Sequence, residues 1–314
     1  MKLAPGAKKQ IKLIGGLLIV AATIAVFAWY IAGNPAIGQQ LRSTSAWTVL
    51  GIIALYGVWL LALMGVLAGS LLIYRKRMSF GENFLLNSYS SVVNFFGPGQ
   101  SGPAMRGAYL KLKHGVRIKQ YIYATLIYYA VYAVLSGIIL AAAALPWWLT
   151  VLGTLAIAGV STLVLRFFHR RNQRQIDDSG QPAGRGGALR PYVIIALAAA
   201  LQVAALVAIY YLELRSLDAN VSLGQVLSYT GAANMALFVA ITPGAIGFRE
   251  AFLVFSQELH GISNDLIVAA NVLDRAVYVV FLGLLCVAIF SLHAQKKLGL
   301  KAMQRARAKS ATIE

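Results

Sequence analysis

Long apolar stretches alternate with short basic ones along this chain, the pattern of a protein that crosses a bilayer several times. Six runs carry no charge, or almost none, over a spanning length: 13–31, 46–74, 120–145, 147–165, 191–212 and 266–292. Helix rises 1.5 Å per residue, so about 20 residues cover the roughly 30 Å hydrocarbon slab and each run predicts one membrane helix. The first run resembles a secretory signal only in part. It is long for such a segment and no convincing cleavage site follows it, so it reads as a retained anchor.

Two regions interrupt this pattern in the same way. Pro98-Gly99-Gln100-Ser101-Gly102 and Pro243-Gly244-Ala245-Ile246-Gly247 share the form P-G-x-x-G inside otherwise apolar surroundings. Further echoes follow: His114-Gly115 returns as His260-Gly261, and Ala130-Val131-Tyr132 as Ala276-Val277-Tyr278. A module has been duplicated with one small change of length. A doubled, Gly/Pro-broken membrane segment is the strongest sequence pointer to a binding site in a transporter-like protein.

Composition agrees with the pattern. The 314 residues are 59% hydrophobic and 12% charged, with a mean hydropathy of +0.70, too apolar for one soluble core. The net charge of +18 would suggest nucleic acid if its distribution did not argue otherwise. Most Lys and Arg fall in clusters at 2–12, 75–77, 111–119, 166–190 and 296–309, each flanking a span. With a cytoplasmic amino terminus, six spans place every cluster on the cytoplasmic side, provided each P-G-x-x-G region enters the membrane and returns to the face it left. The other side then receives little more than Arg42, Glu213, Arg215, Asp218 and Asp265. This is a positive-inside arrangement, and attraction to anionic lipid is its plainest further consequence.

The expected fold is therefore an all-α integral membrane protein, a polytopic bundle of about six full spans plus two re-entrant, Pro/Gly-broken helical hairpins in inverted repeats. Its parts would be an amino-terminal tail and anchor (1–45), a first repeat (46–165) with a hairpin at 82–112, and a cytoplasmic linker (166–190). A second repeat (191–292) with a hairpin at 223–260 and a basic cytoplasmic tail (293–314) would follow. The linker is polar and Gly-rich, as a flexible connection requires. One hairpin would enter from the cytoplasm and the other from outside, the architecture that opens a central site alternately to the two faces.

The breaks are candidate site elements. Pro98 and Pro243 lack an N–H, and Gly99 and Gly244 favour non-helical torsions, so backbone groups are left without partners. At membrane depth this is tolerated only where protein buries the groups or a wet cavity meets them. A helix restarting after Gly102 or Gly247 offers free N–H groups and a positive dipole end, which suit an anion such as phosphate. Arg106 follows the first break, and Arg249 with Glu250 the second. The plain alternative is that these glycines only allow close helix packing.

The last span adds charges. Asp274 and Arg275 fall near mid-membrane, where ionisable groups are costly and mark function by default. Asn271, Asp274, Arg275 and Tyr278 share one helix face by their spacing. In the first copy the matching stripe is Thr125, Tyr128, Tyr129 and Tyr132, polar but uncharged. Such stripes could line a cavity for a charged head group; equally, Asp274 with Arg249, or Arg275 with Glu250, could be a structural bridge. Elsewhere the chemistry is thin. Cys286 is the lone cysteine, and His114, His169, His260 and His293 form no metal-ligand pattern, so no metal and no cofactor are expected. No nucleotide-binding loop or hydrolase elbow is present.

The motifs Asn94-Phe95-Phe96-Gly97-Pro98-Gly99-Gln100-Ser101-Gly102 with Arg106, and Thr242-Pro243-Gly244-Ala245-Ile246-Gly247-Phe248-Arg249-Glu250-Ala251 with Arg275, resemble the membrane region of bacterial lysylphosphatidylglycerol synthetase/flippase proteins and their stand-alone relatives. The resemblance spans nearly the whole chain. It implies a bacterial inner-membrane protein, both termini cytoplasmic, whose hairpins form a cavity that moves an amphiphile between leaflets. By this resemblance Pro98, Gly99, Gly102 and Arg106 match the first hairpin, and Pro243, Gly244, Gly247, Glu250 and Arg275 the second. Two departures stand out. Pro103-Ala104 occupies the place where such proteins often carry an acidic residue, which weakens a proton-linked role for that hairpin. The aminoacyltransferase domain of the full-length enzymes is not seen, so this chain alone is not expected to make lysylphosphatidylglycerol.

Two functions are consistent with these features. The first is a flippase for an anionic phospholipid or lipid-linked amphiphile, its head group held by Arg106, Arg249, Glu250, Asn271, Asp274, Arg275, Tyr278, Tyr128 and Tyr129. The second is a membrane-embedded transferase with Glu250 or Asp274 as general base. Mid-depth polar groups in mirrored copies favour the first, and a non-catalytic scaffold leaves the buried charges without a purpose. Expected partners are membrane lipids, mainly anionic, with a second copy of the chain or a separate lipid-modifying enzyme as protein partner, and no nucleic acid.

Overall fold

The computed structural model describes residues 44–97, 101–144, 189–239 and 248–310, with a few isolated positions besides; the side chains of 143–144, 237–239, 248, 250 and 293–310 fall outside that description. The run 13–31, nearly all of 147–165, most of the linker 166–190, and Pro98, Gly99, Pro243, Gly244 and Gly247 lie outside the described residues. Among the described residues every regular element is helical. In order these are α1 (Ala46–Ile73), α2 (Phe80–Phe96), α3 (Ser101–His114), α4 (Ile118–Ala144), α5 (Arg190–Leu217), α6 (Leu223–Val239), α7 (Phe248–Phe255), α8 (Gln257–His260) and α9 (Asn264–Ser310).

Four of these helices are long and apolar enough to cross a membrane: α1, α4, α5 and the first part of α9, Asn264–Leu292. They match the sequence runs 46–74, 120–145, 191–212 and 266–292. Two boundaries differ from expectation. The α5 helix continues past the charge at Glu213 to Leu217, and α9 runs on as helix to Ser310 instead of ending where the basic tail begins. The first is also a correction. Glu213, expected at the outer rim, is fully buried at 0% exposure, because the helix carries it into the bundle in place of ending before it.

The element order repeats. A long helix, a 17-residue helix, a shorter segment and a second long helix occur as α1–α2–α3–α4 and again as α5–α6–α7/α8–α9. Packing repeats with it: α1 on α2 is matched by α5 on α6, α3 on α4 by α7 on α9, α1 on α9 by α5 on α4, and α2 on α9 by α6 on α4. The exception is the pair α1 and α5, equivalent helices that pack on each other. Their glycines give the direction. A methyl carbon at Gly51 would lie 3.3 Å from Leu212, at Gly65 3.0 Å from Ala198, and at Gly69 2.8 Å from Ile195. Advancing along α1 means going back along α5, so the two equivalent helices are antiparallel. Small residues at the contact allow this approach where burial of apolar surface cannot supply the drive, since lipid is as apolar as leucine.

Between the long helices the chain folds back. Ser79 caps α2, accepting from Glu82 N at 3.3 Å, an S-x-x-E start. Gly102 N donates to Asn94 Oδ1 at 3.2 Å and Arg106 to Asn87 at 2.9 Å, while Tyr109 and His114 reach Glu82. Residues therefore pair in descending against ascending order, and α2 and α3 form an antiparallel helical hairpin. Gly102 is essential to its closeness, since a Cβ there would lie 2.6 Å from Ser90 O. The second copy closes likewise, with Gln225 donating to Gly261 O at 3.2 Å and Tyr229 against the His260 ring. The echoed His-Gly pairs have a structural meaning: Gly115 and Gly261 each take φ of 62°, the left-handed end of a helix that glycine adopts without strain.

Gly231 marks where α6 meets α4, with an added Cβ 2.7 Å from Leu140 Cβ and 3.0 Å from its backbone. Gly231→Ala should therefore overpack the contact and cost about 1–3 kcal/mol, lowering the unfolding midpoint in detergent. Gly57→Ala, which meets nothing within 4 Å, should leave the midpoint unchanged or slightly raised.

Candidate functional site

The polar centre forms where α1, α5, α6, α7 and α9 converge. Asp274 lies about 15 Å along α9 from Asn264 by helical rise, deep in the bundle at 2% exposure, with Arg249 at 5%. The two meet in an ion pair, Arg249 Nη1 to Asp274 Oδ2, at 2.6 Å. The second carboxylate oxygen accepts from the Tyr56 hydroxyl of α1. The Arg249 guanidinium lies over the Tyr210 ring, 5.0 Å from its centroid, and Arg275 is buried within electrostatic reach of Asp274. A carboxylate this deep is tolerable because charge, hydrogen bond and aromatic faces surround it.

Glu213 completes the centre, and sequence reading placed it elsewhere. Its side chain lies against that of Asp274 and within reach of Arg249 and Arg275. The missed signal was spacing: Tyr210 and Glu213 stand at i and i+3, on one face of α5. Tyr56, Tyr210 and Tyr229 were also missed, since a tyrosine inside an apolar run reads as core. Tyr210 and Tyr229 stack edge to face at 5.4 Å, and Asn271 donates to Tyr229 Oη at 3.2 Å.

The remaining predicted residues divide. Tyr278 belongs to an aromatic cluster with Tyr56 at 4.7 Å and Phe95 at 5.4 Å. Tyr128 donates to Gln202 Oε1 at 2.7 Å, with the Tyr129 ring 5.1 Å away. Arg106 does not join the ion-pair centre. It stands in the first hairpin bonded to Asn87, its Nε buried without a hydrogen-bond partner among the described residues. Arg106 acts electrostatically on Tyr128 and Tyr129, and Arg249 on Tyr132. The tyrosine stripe of α4 thus runs from one cation to the other. Glu250 is helical in backbone, and its pairing with Arg275 lies outside the described side chains.

The duplication extends into the site. Tyr56 to Gln202 and Tyr128 to Asp274 are each a step of 146 positions. The bond from Tyr56 to Asp274 and the bond from Tyr128 to Gln202 are therefore the same contact made twice, once to a charged acceptor and once to a neutral one. A second ionic knot closes the open end of the first hairpin. Glu82 receives Tyr109 at 2.6 Å, His114 at 2.8 Å and Lys113 at 2.9 Å. Partial burial pushes its carboxyl up, but these three hydrogen bonds outweigh that and hold it at about 2.

These features define a multi-pass helical membrane protein with an ionised, aromatic-walled polar core between two like halves. The chain belongs to the family described as the lysylphosphatidylglycerol synthase TM region, whose model matches residues 13–286. No curated protein matches the chain.

Two measurements probe the site. Removing one member of a buried ion pair leaves a lone charge, so Asp274→Leu should cost about 3–5 kcal/mol, and Arg249→Met with Asp274→Leu should recover much of the loss; chemical unfolding in detergent reads both. The Glu82 carboxyl titrates below its ordinary 4.5, so its stabilisation of the hairpin is complete above about pH 4.5 and fades as pH falls toward 2. The stability gap between wild type and Glu82→Gln should narrow across that window.

Proposed function

We propose that this protein moves an anionic phospholipid or lipid-linked amphiphile between leaflets of the bacterial inner membrane. In this reading six spans and two re-entrant hairpins form inverted repeats, with both termini cytoplasmic, and the hairpins reach the bilayer centre from opposite faces. The observation that carries it is the antiparallel packing of the equivalent helices α1 and α5 around a shared polar core. Repeats arranged so can rock about a fixed site and expose it to one face and then the other.

Arg106 is the first contact for the head group. It has no carboxylate partner among the described residues, so an anion from the lipid supplies the missing charge. From there the hydroxyls of Tyr128, Tyr129 and Tyr132 lead to Arg249. The anion reaches that guanidinium only by displacing Asp274, an exchange of one acceptor for another that leaves no cation bare. Arg275, Asn271 and Tyr278 complete the lining. The family name, with its lipid-modifying synthase, supports an anionic lipid as cargo.

Reconstituted protein should speed the crossing of labelled phosphatidylglycerol in liposomes and leave a zwitterionic lipid slow. A hydrogen bond to a charged group is worth about 1.5–3 kcal/mol, so Arg106→Gln should slow the crossing about tenfold or more. Equal rates for protein-containing and empty liposomes would refute the reading. A new lipid mass in the products would favour the transferase instead.

A further inference from the structure

The Glu213 carboxyl is fully buried, and both its oxygens lack a hydrogen-bond donor among the described residues. Its neighbour across the α5–α9 contact is Asp274, whose own oxygens are taken by Tyr56 and Arg249. Two ionised carboxylates side by side are two acceptors with no donor between them. One proton between them turns that repulsive contact into a hydrogen bond.

Among the described side chains, the groups facing Glu213 are Tyr56 from α1, Tyr210 on α5 itself, Tyr229 from α6, Arg249 from α7, and Asp274 and Arg275 from α9. The α4 helix, also packed on α5, brings Tyr128 and Tyr132, both uncharged. Among these side chains two guanidinium groups face two carboxyls. With both carboxyls ionised the charges of these described side chains sum to zero. With a proton on Glu213 they sum to one positive charge, which a buried site tolerates only if an anion joins it.

We propose that Glu213, paired with Asp274, is a proton-binding site, and that each proton taken up admits one anionic head group, making the movement a proton–lipid symport. The inference rests on the lipid-moving function proposed above and names its energy source. The balance is simple: the proton enters from the aqueous face to which the site is open, sits on Glu213 Oε, and leaves to the opposite face with the released lipid. The head group's negative charge offsets the proton's positive one throughout, so the centre returns to its starting charge. No other ion is required. The site lies in the second half, away from Pro103-Ala104 in the first hairpin, where the sequence gives no acid.

The test uses liposomes with labelled phosphatidylglycerol and an imposed pH gradient. For one proton per singly charged lipid, mass action predicts about a tenfold unequal distribution between leaflets per pH unit. Glu213→Gln, of the same shape and with an amide N–H to give Asp274, fixes the centre in its anion-bound charge state, so labelled lipid should only exchange one for one across the membrane and reach an even distribution whatever the gradient. Infrared spectroscopy of the protein in detergent gives a readout independent of transport: a carboxylic-acid C=O band that titrates in wild type and is missing in Glu213→Gln. An even distribution in wild type despite the gradient, with crossing intact, overturns the symport and leaves the lipid-moving function standing. A wild-type protein without that band, or with the band unchanged in Glu213→Gln, overturns the proton site. Should no lipid cross in any preparation while the band behaves as expected, the lipid-moving function fails, the symport fails with it, and the proton site stands.

Discussion

The ion pair between Arg249 and Asp274 is the constraint around which this bundle is arranged. An isolated charge at this depth would cost several kcal/mol, so neither residue can be buried without the other. The pair also fixes geometry. Arg249 comes from the short helix that follows the second break, Asp274 from the long helix behind it, and the Tyr56 hydroxyl from the first half. One carboxylate thus joins three elements and both halves. Close helix contacts at Gly65, Gly69, Gly102 and Gly231 supply the cohesion that hydrophobic burial cannot supply in lipid.

Duplication explains why the polar centre is lopsided. The same inter-helix contact occurs twice, with Asp274 as acceptor in one place and Gln202 in the other. The two cations differ in the same sense: among the described residues Arg249 has a carboxylate and Arg106 the amide oxygen of Asn87. Among the described residues, one half therefore holds an ion-paired cluster and the other a cation with no carboxylate beside it, joined by the tyrosines of α4. Under the proposed function such a division would give a bound anion a place to arrive and a place to displace a carboxylate.

Much of this was legible in the sequence. Hydrophobic run length located α1, α4, α5 and the spanning part of α9 to within a few residues, because in lipid the apolar length of a helix is set by the bilayer itself. The echoed His-Gly pairs marked equivalent left-handed helix ends at Gly115 and Gly261. Spacing along the last span correctly grouped Asn271, Asp274 and Arg275 on a buried face. What failed was the rule that a charge ends a span. The i, i+3 spacing of Tyr210 and Glu213 puts them on one face of α5, but what buries that face comes from other helices, which α5 alone does not reveal. Arg106 was grouped with Arg249 because both follow a break, yet the positions differ by two residues relative to Gly102 and Gly247, and among the described residues Arg249, not Arg106, meets an acid.

The central claim is that the two halves are upside down relative to each other, and the most direct measurement is the sidedness of equivalent loops. Single cysteines at Lys76 and Ala219, introduced in a background where the exposed Cys286 is replaced by serine, sit just after α1 and α5. With a membrane-impermeant thiol reagent on intact cells, an inverted duplication predicts labelling at position 219 from outside and at position 76 only after the membrane is opened. Labelling of both positions from the same side would contradict it.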